Sequence, residues 1–323
     1  MLVAVTVGVY NEEKHLRPLL EALVQQTRPP EEIILVDDGS TDNTGAIIQD
    51  FAQKYPLVRY LYQENAGPAA ARNRAWRNAR ADICVFTDGD CLPEPNWLEE
   101  LLKPFAGDNI GAVAGTYKTL NTGSTLARCL GLEIAWRYRE VQGEIDVHGT
   151  YNLAVRKNIL EEVGGFNEEY REPSAEDWDL TYKISKRHRL IYWPAAVVGH
   201  HHPENFWPYL KNQVRRAYDR VKLYQDHRDK RQGDTYTPKI IKYQILAAGA
   251  LGPSLIFFLP LFPASFLVPL ALLAFLLYTS LLPFPYLFQR DPRAALLSIP
   301  VRFCRNFAWF LGLARGILRF GLG

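Results

Sequence analysis

The first hundred residues alternate strand and helix patterns without a break, and this alternation constrains the fold more than any other feature of the chain. Residues 2–9 form an unbroken apolar and β-branched run, of the kind buried on both faces of a parallel sheet. Residues 15–26 then place Leu16, Leu19, Leu20 and Leu23 at helical spacing. A second strand is expected over 32–36 and a second helix over 44–55, with Thr41 or Asp42 available as its N-cap. A third pair follows at 58–62 and 69–80, and a fourth strand at 82–87. Such a pattern implies right-handed crossovers and an open parallel sheet, with ligands bound beyond the carboxyl ends of its strands. Asp37-Asp38 and Asp88-Gly89-Asp90 both fall at those ends.

Beyond residue 93 the organisation changes. The stretch 93–196 is mixed, a basic and aromatic region begins near Glu204, and 243–288 is almost wholly apolar. The 323 residues allow one large domain or two smaller ones, and a net charge of +2 offers no argument for a nucleic-acid partner, so none is expected. Cys84, Cys91, Cys129 and Cys304 form no C-x-x-C pair, which fits a reducing compartment and argues against a disulfide framework or a zinc site. The N-terminal run lacks a basic leader and reads as a strand, not a signal peptide.

Two charge-free spans, 243–259 and 264–282, are joined by a short turn at 260–263, and each is near the ~17–25 residues that a transmembrane helix needs. Basic residues flank their outer ends, so the positive-inside bias puts both ends and the soluble portion in the cytoplasm. Gly249, Gly252 and Pro253 leave a re-entrant hairpin open, and a buried hairpin in a soluble core is the blander reading. The tail 294–320 mixes Arg302, Arg305, Arg315 and Arg319 with Phe, Trp and Leu, which suits a helix lying in the headgroup region.

Several segments carry chemistry. Asp88 and Asp90, one residue apart where an apolar strand opens, could share a divalent cation that also binds a diphosphate; otherwise they form a solvated turn. In Val36-Asp37-Asp38-Gly39-Ser40-Thr41-Asp42, a carboxylate could accept the imide N–H of a uracil or guanine or bind ribose hydroxyls, or the segment is a turn with a helix cap. Arg72, in the small-residue helix after Gly67-Pro68, could reach a phosphate or form a structural salt bridge. Glu176-Asp177-Trp178-Asp179 sets carboxylates beside a ring that could stack on a sugar; an acidic first helical turn has the same composition. His200-His201-His202 could supply a third metal ligand or face a diphosphate or solvent.

Taken in order, Val7 to Glu13, Val36 to Asp42, Asn65 to Asn73, Thr87-Asp88-Gly89-Asp90 and Glu176 to Leu180 resemble the family 2 glycosyltransferases, over roughly residues 3–200. The resemblance implies a GT-A fold, an open and mostly parallel α/β sheet flanked by helices, here followed by a C-terminal helical membrane segment. It implies a donor nucleotide pocket at Val9, Asn11, Glu12, Asp37, Asp38, Arg72 and Asp88, and a Mn²⁺ or Mg²⁺ held by Asp88, Asp90 and His200. Asp177 corresponds to the catalytic base, with Asn152, Glu176 and Trp178 on the acceptor side. Gln213-Val214-Arg215-Arg216-Ala217 resembles the Q-x-x-R-W segment of processive synthases with Ala217 in place of tryptophan. Leu92 stands where dolichol-phosphate mannose synthases have glutamine, so no subgroup's substrate is carried over.

The expected organisation is a catalytic domain over 1–205, a basic amphipathic linker or juxtamembrane region over 206–242, a transmembrane helical hairpin over 243–288 and an interfacial amphipathic helical tail over 289–323. The expected function is a multi-pass enzyme of the cell membrane, its catalytic domain cytoplasmic, moving a sugar from a UDP or GDP donor to a lipid-linked or saccharide acceptor. A nucleotide-sugar hydrolase or nucleotidyltransferase, or a membrane protein that only binds a nucleotide sugar, are the alternatives.

Overall fold

The computed structural model describes residues 1–107, 109–258 and 266–321. In chain order its elements are β1 (Val3–Val9), α1 (Leu16–Val24), β2 (Glu32–Asp38), α2 (Thr44–Lys54), β3 (Val58–Gln63), α3 (Pro68–Arg77), β4 (Ile83–Thr87), β5 (Cys91–Pro93), α4 (Trp97–Leu102) and β6 (Ile110–Thr119). There follow α5 (Thr125–Tyr138), β7 (Gly143–Ile145), β8 (Asn152–Arg156), α6 (Lys157–Val163), α7 (Glu176–Ser185) and β9 (Arg189–His200). Helices α8 (Phe206–Asp226), α9 (Ile240–Phe258), α10 (Leu267–Leu281), α11 (Phe284–Phe288) and α12 (Pro292–Phe320) complete the chain. They form two compact units: Met1–Leu120 with Val141–His201, and Asn121–Glu140 with His202–Gly323.

The first unit is built on a nine-stranded sheet in the order β3-β2-β1-β4-β8-β6-β9-β5, with β7 beside β9. Strands β1 to β4 are parallel, as their continuous apolar runs require, and the β-α alternation ends there. Strand β8 then enters antiparallel between β4 and β6, and β5 and β7 pair antiparallel with β9. The sheet is therefore mixed, with its parallel half carried by the first four strands.

Two registers position the site. Thr87 pairs with Asn152, so the residues entering β8 lie beside those leaving β4. Cys91 pairs with His200, which brings the end of β9 alongside the segment after Asp90. The core between sheet and helices is made by Val3, Val5, Val7, Leu16, Leu19, Leu20, Leu23, Ile33, Leu35 and Ile48, and the four leucines read at helical spacing are all among them.

The second unit is helical. The stretch Asn121–Glu140, with α5, groups with the C-terminal helices although it lies inside the expected catalytic domain. Within the expected basic amphipathic linker lies the 21-residue helix α8, which packs on α12. A Cβ at Gly312 would strike the Val214 carbonyl oxygen, so the two backbones can approach only because that position is glycine. Of the four α12 arginines read as lying at lipid headgroups, Arg302 and Arg305 are instead buried against Glu133 of α5, because an ion pair inside the unit is available to them, while Arg315 and Arg319 are exposed.

The apolar region forms helices α9 and α10, which pack through Ala247, Ala248, Leu276, Leu251, Leu272 and Phe275, with Phe303 and Phe307 of α12 alongside. The turn expected at 260–263, and the ends of the two spans that it joins, lie outside the described residues. Among the described residues, Leu267–Phe288 is long and apolar enough to cross a membrane, while Ile240–Ile256 is a shorter apolar helix.

Candidate active site

The loops after β1 and β2 are tied together by short hydrogen bonds. Asn11 sits at φ 56, a left-handed conformation that few non-glycine residues adopt. Its Oδ1 accepts from Thr41 N at 2.8 Å and its own N–H donates to Ser40 Oγ at 3.0 Å. Glu12 N donates to Thr44 Oγ1 at 2.8 Å, and Glu13 N to Asp42 Oδ2 at 3.2 Å. These bonds hold the strained residue in place.

Strand β2 runs two residues further than expected, so Asp37 and Asp38 end the strand itself. Asp37 accepts from Ser40 N at 2.9 Å and from Tyr60 Oη at 3.1 Å. Asp38 accepts from Gln63 Nε2 at 2.7 Å and from Ala66 N and Gly67 N, both at 2.9 Å. Asp38 thereby shapes the 65–67 turn that leads into α3.

Arg72 joins the two acidic regions. Its Nη2 donates to Asp88 Oδ1 at 2.8 Å and its Nη1 to Glu176 Oε1 at 3.0 Å. Burial opposes its charge, but Asp88, Glu176 and Asp177 keep the guanidinium firmly protonated. Burial and the neighbouring Asp177 push the Glu176 carboxyl up to about 7 against the pull of Arg72. Glu176 also accepts from Ser174 N at 2.8 Å, so it anchors the start of α7.

On the other side, Asp90 Oδ2 lies 3.9 Å from His200 Nε2. One donor atom each from Asp90, Cys91 and His200 falls within 4.8 Å of the others. Burial raises the Asp90 carboxyl, with Asp88 adding to the effect and His200 opposing it. Burial and Asp90 likewise raise Glu12, which pairs with His15 Nδ1 at 3.2 Å. Gly89 is needed between the aspartates, because a Cβ there would stand 2.8 Å from Glu12 Cγ. Glu12, Asp88 and Asp90 thus crowd negative charge at the end of β4, and with His200 they offer the carboxylate and imidazole donors that suit Mn²⁺ or Mg²⁺.

Asp177, in the first turn of α7, accepts a long bond of 3.4 Å from Thr150 N in the loop before β8. That loop rests on His148, which is buried, bonded through Nδ1 to the Gly149 carbonyl at 2.9 Å and tilted against the Tyr151 ring. Two acceptor-side expectations are relocated. Asn152 is fully buried: its Oδ1 accepts from Trp97 Nε1 at 2.8 Å, and its Nδ2 donates to the Thr116 and Ala196 carbonyls at 2.7 and 2.9 Å. It ties β8 to its neighbours, because its position on the strand points it into the sheet's core. Glu176 is buried as well and holds Arg72. Trp178 is half-buried and meets Tyr182 edge-on.

The family model described as glycosyl transferase family 2 matches residues 4–163. The chain belongs to glycosyl transferase family 2 through this domain. Curated relatives agree. Glycosyltransferase AglE of Haloferax volcanii is 29% identical over 226 residues, covering 69% of this chain and 74% of that protein. The uncharacterized glycosyltransferase YibD of Escherichia coli is 37% identical over 236 residues, covering 68% of this chain and 60% of its own. Against the probable glycosyltransferase YdaM of Bacillus subtilis the chain spans 54% of the relative's length. The mannosyltransferase PcManGT of Pyrobaculum calidifontis, solved with GDP-Man and Mn²⁺, superposes with a TM-score of 0.62 at 22% identity, covering 98% of this chain and 87% of that one. The fold of this glycosyltransferase is thus GT-A.

In this family member the sequence reading missed His15, Cys91, His148 and Tyr151. Cys91 directly follows Asp90, but only its pairing with His200 reveals the cluster. His148 and Tyr151 flank the Gly149-Thr150 segment and carry no pattern of their own.

Proposed function

We propose that this glycosyltransferase moves a sugar, with inversion, from a UDP- or GDP-sugar to an acceptor on a lipid-linked or free saccharide at a membrane surface. The observation that carries the reading is the Arg72 bridge, which fixes Asp88 of the donor side and the Glu176-Asp177 turn of the acceptor side to one guanidinium. PcManGT, with GDP-Man and Mn²⁺, and TarS of S. aureus, with UDP, give the donor class and the metal their precedent in like folds.

In the reaction, Asp177 takes the proton of the acceptor hydroxyl as that oxygen attacks the anomeric carbon. The bond from that carbon to the nucleoside diphosphate breaks, and the diphosphate leaves with the electron pair. Asp88, Asp90 and His200 would hold a Mn²⁺ or Mg²⁺ ion, whose charge would offset that of the departing diphosphate. Arg72 keeps Asp88 oriented, and Asn11, Asp37 and the Ser40–Thr41 turn, bonded to one another, are the further donor-side groups.

Membrane association is supported by the helical unit. Leu246, Ile256, Leu267 and Tyr278 each expose more than half of their surface, and Leu318 exposes 88%. Such a density of exposed apolar residues on α9, α10 and α12 suits lipid. In this reading α9 and α10 enter the bilayer as a hairpin whose basic outer flanks, together with the catalytic domain, stay in the cytoplasm.

The test is transfer by purified full-length protein from radiolabelled UDP- and GDP-sugars with Mn²⁺ or Mg²⁺, in the presence of a lipid extract. The expected product partitions into organic solvent and forms only with a divalent cation. Release of free sugar alone would instead mark a hydrolase, and label confined to water-soluble saccharides would remove the lipid-linked acceptor.

A further inference from the structure

Inside the helical unit one carboxylate faces three guanidiniums. Glu133 of α5 is 2% exposed, and its Oε1 accepts from Arg137 Nη2 at 2.8 Å, Arg302 Nη1 at 2.7 Å and Arg305 Nη2 at 2.7 Å. Arg305 Nη1 reaches Oε2 at 2.9 Å. Among the described residues, the other partners of these arginines are neutral. Arg302 also donates to the Thr279 carbonyl at 3.2 Å and Arg305 to Tyr209 Oη at 3.2 Å, while the rings of Tyr236, Trp136 and Trp309 lie against Arg137, Arg302 and Arg305. Three guanidiniums less one carboxylate leave two positive charges in a buried place.

The donors are out of balance too. Arg137 Nε, Arg302 Nε, Arg305 Nε and, one turn beyond Arg302 on the same face of α12, Asn306 Nδ2 are buried without a hydrogen-bond partner. Buried donors left unpaired are costly, and like charges buried together more so, unless an acceptor of opposite sign is supplied. Arg72 in the first unit also has an unpartnered Nε, but two carboxylates neutralise it. Charge excess and orphaned donors coincide only around Glu133 among the described clusters.

We propose that the Arg137, Arg302, Arg305 and Asn306 cluster binds a phosphomonoester, with a dianionic phosphate matching the excess charge and its oxygens accepting from the orphaned N–H groups. The phosphate could come from a lipid headgroup or from solution, and the chemistry of recognition is the same. The site is separate from the sugar-transfer residues and stands or falls independently of them.

Full-length protein in non-ionic detergent is titrated with sodium phosphate, and with sodium chloride at matched ionic strength, at a pH where phosphate is doubly ionised. In parallel it is placed in phosphatidylcholine nanodiscs with and without phosphatidic acid. The thermal unfolding midpoint is followed, since a ligand that binds only the folded state raises it. A rise with phosphatidic acid alone assigns the site to a lipid phosphate, and a rise with inorganic phosphate to a soluble one. In either case Asn306→Leu and Arg302→Gln weaken the apparent affinity by about tenfold or more, a loss of about 1.4 kcal/mol. Asn306→Leu leaves every ion pair to Glu133 in place, so its unliganded midpoint stays near that of the parent and its lost response reports binding. No rise with either phosphate source, or an equal rise in parent and both variants, overturns the proposal.

Discussion

The two units each bury an ionic cluster, and the two are opposite in composition. In the sheet unit a single guanidinium, Arg72, is held between Asp88 and Glu176, with Asp177, Asp90 and Glu12 nearby, so carboxylates predominate. In the helical unit a single carboxylate, Glu133, is held among Arg137, Arg302 and Arg305, so guanidiniums predominate. Burial disfavours charge in both. Around Glu176 it wins, and the carboxyl rises to about 7; around Glu133 it is overcome by Arg305, Arg302 and Arg137, which hold that carboxyl well below the usual range. The same physics therefore leaves one cluster in want of a cation and the other in want of an anion.

The sharpest way to test the first half of that contrast is Asp177→Asn, which keeps the shape of the α7 turn but removes the proton acceptor. Transfer should fall by about 10²–10⁴-fold in kcat while thermal stabilisation by the nucleotide donor persists. Unchanged turnover would show that another group is the base.

A second measurement compares the clusters directly. Arg72→Met strands two carboxylates and should destabilise the fold by about 3–5 kcal/mol in chemical denaturation. Arg302→Met leaves Glu133 with Arg137 and Arg305 and relieves like-charge crowding, so its cost should stay within about 1 kcal/mol. Equal losses for the two variants would break the contrast.

The smallest expected effect is one of pH. Burial keeps His148 neutral, with its pKa lowered from 6.5 to about 4. Between those values the unfolded chain binds a proton that the fold refuses, so the contribution of this residue is intact above pH 6.5 and is lost as pH falls toward 4. The full change is roughly 3 kcal/mol. Glu176 titrates with the opposite sign, so the comparison is between the parent and His148→Gln across pH 4.5–7. A variant that keeps the parent's slope would show that His148 is not its source.

Much of the catalytic unit was legible because its signals are local. Strand and helix periods are properties of neighbouring residues, and β1 to β4 with α1 to α3 fall within a few residues of where those periods end. The carboxyl ends of parallel strands follow from topology, and Asp37, Asp38 and Asp88 do lie at the ends of β2 and β4. Arg72 was open between phosphate contact and salt bridge, and the structure gives it two bridges. Asn152 was assigned to the acceptor because a matched segment cannot say which way a side chain points from its strand.

The sequence by itself determined the alternating α/β pattern, the apolar helices and the place of Asp37, Asp38 and Asp88 at strand ends, since each depends on residues close together in the chain. Tertiary structure alone decided the antiparallel entry of β8, the Cys91–His200 pairing, the grouping of α5 with the C-terminal helices and the burial of Arg302 and Arg305 on Glu133. Glu133 and Arg305 are 172 residues apart. No local period or propensity carries information over that distance; only the packing of α5 against α12 brings the charges together, and with them the imbalance that a ligand would correct.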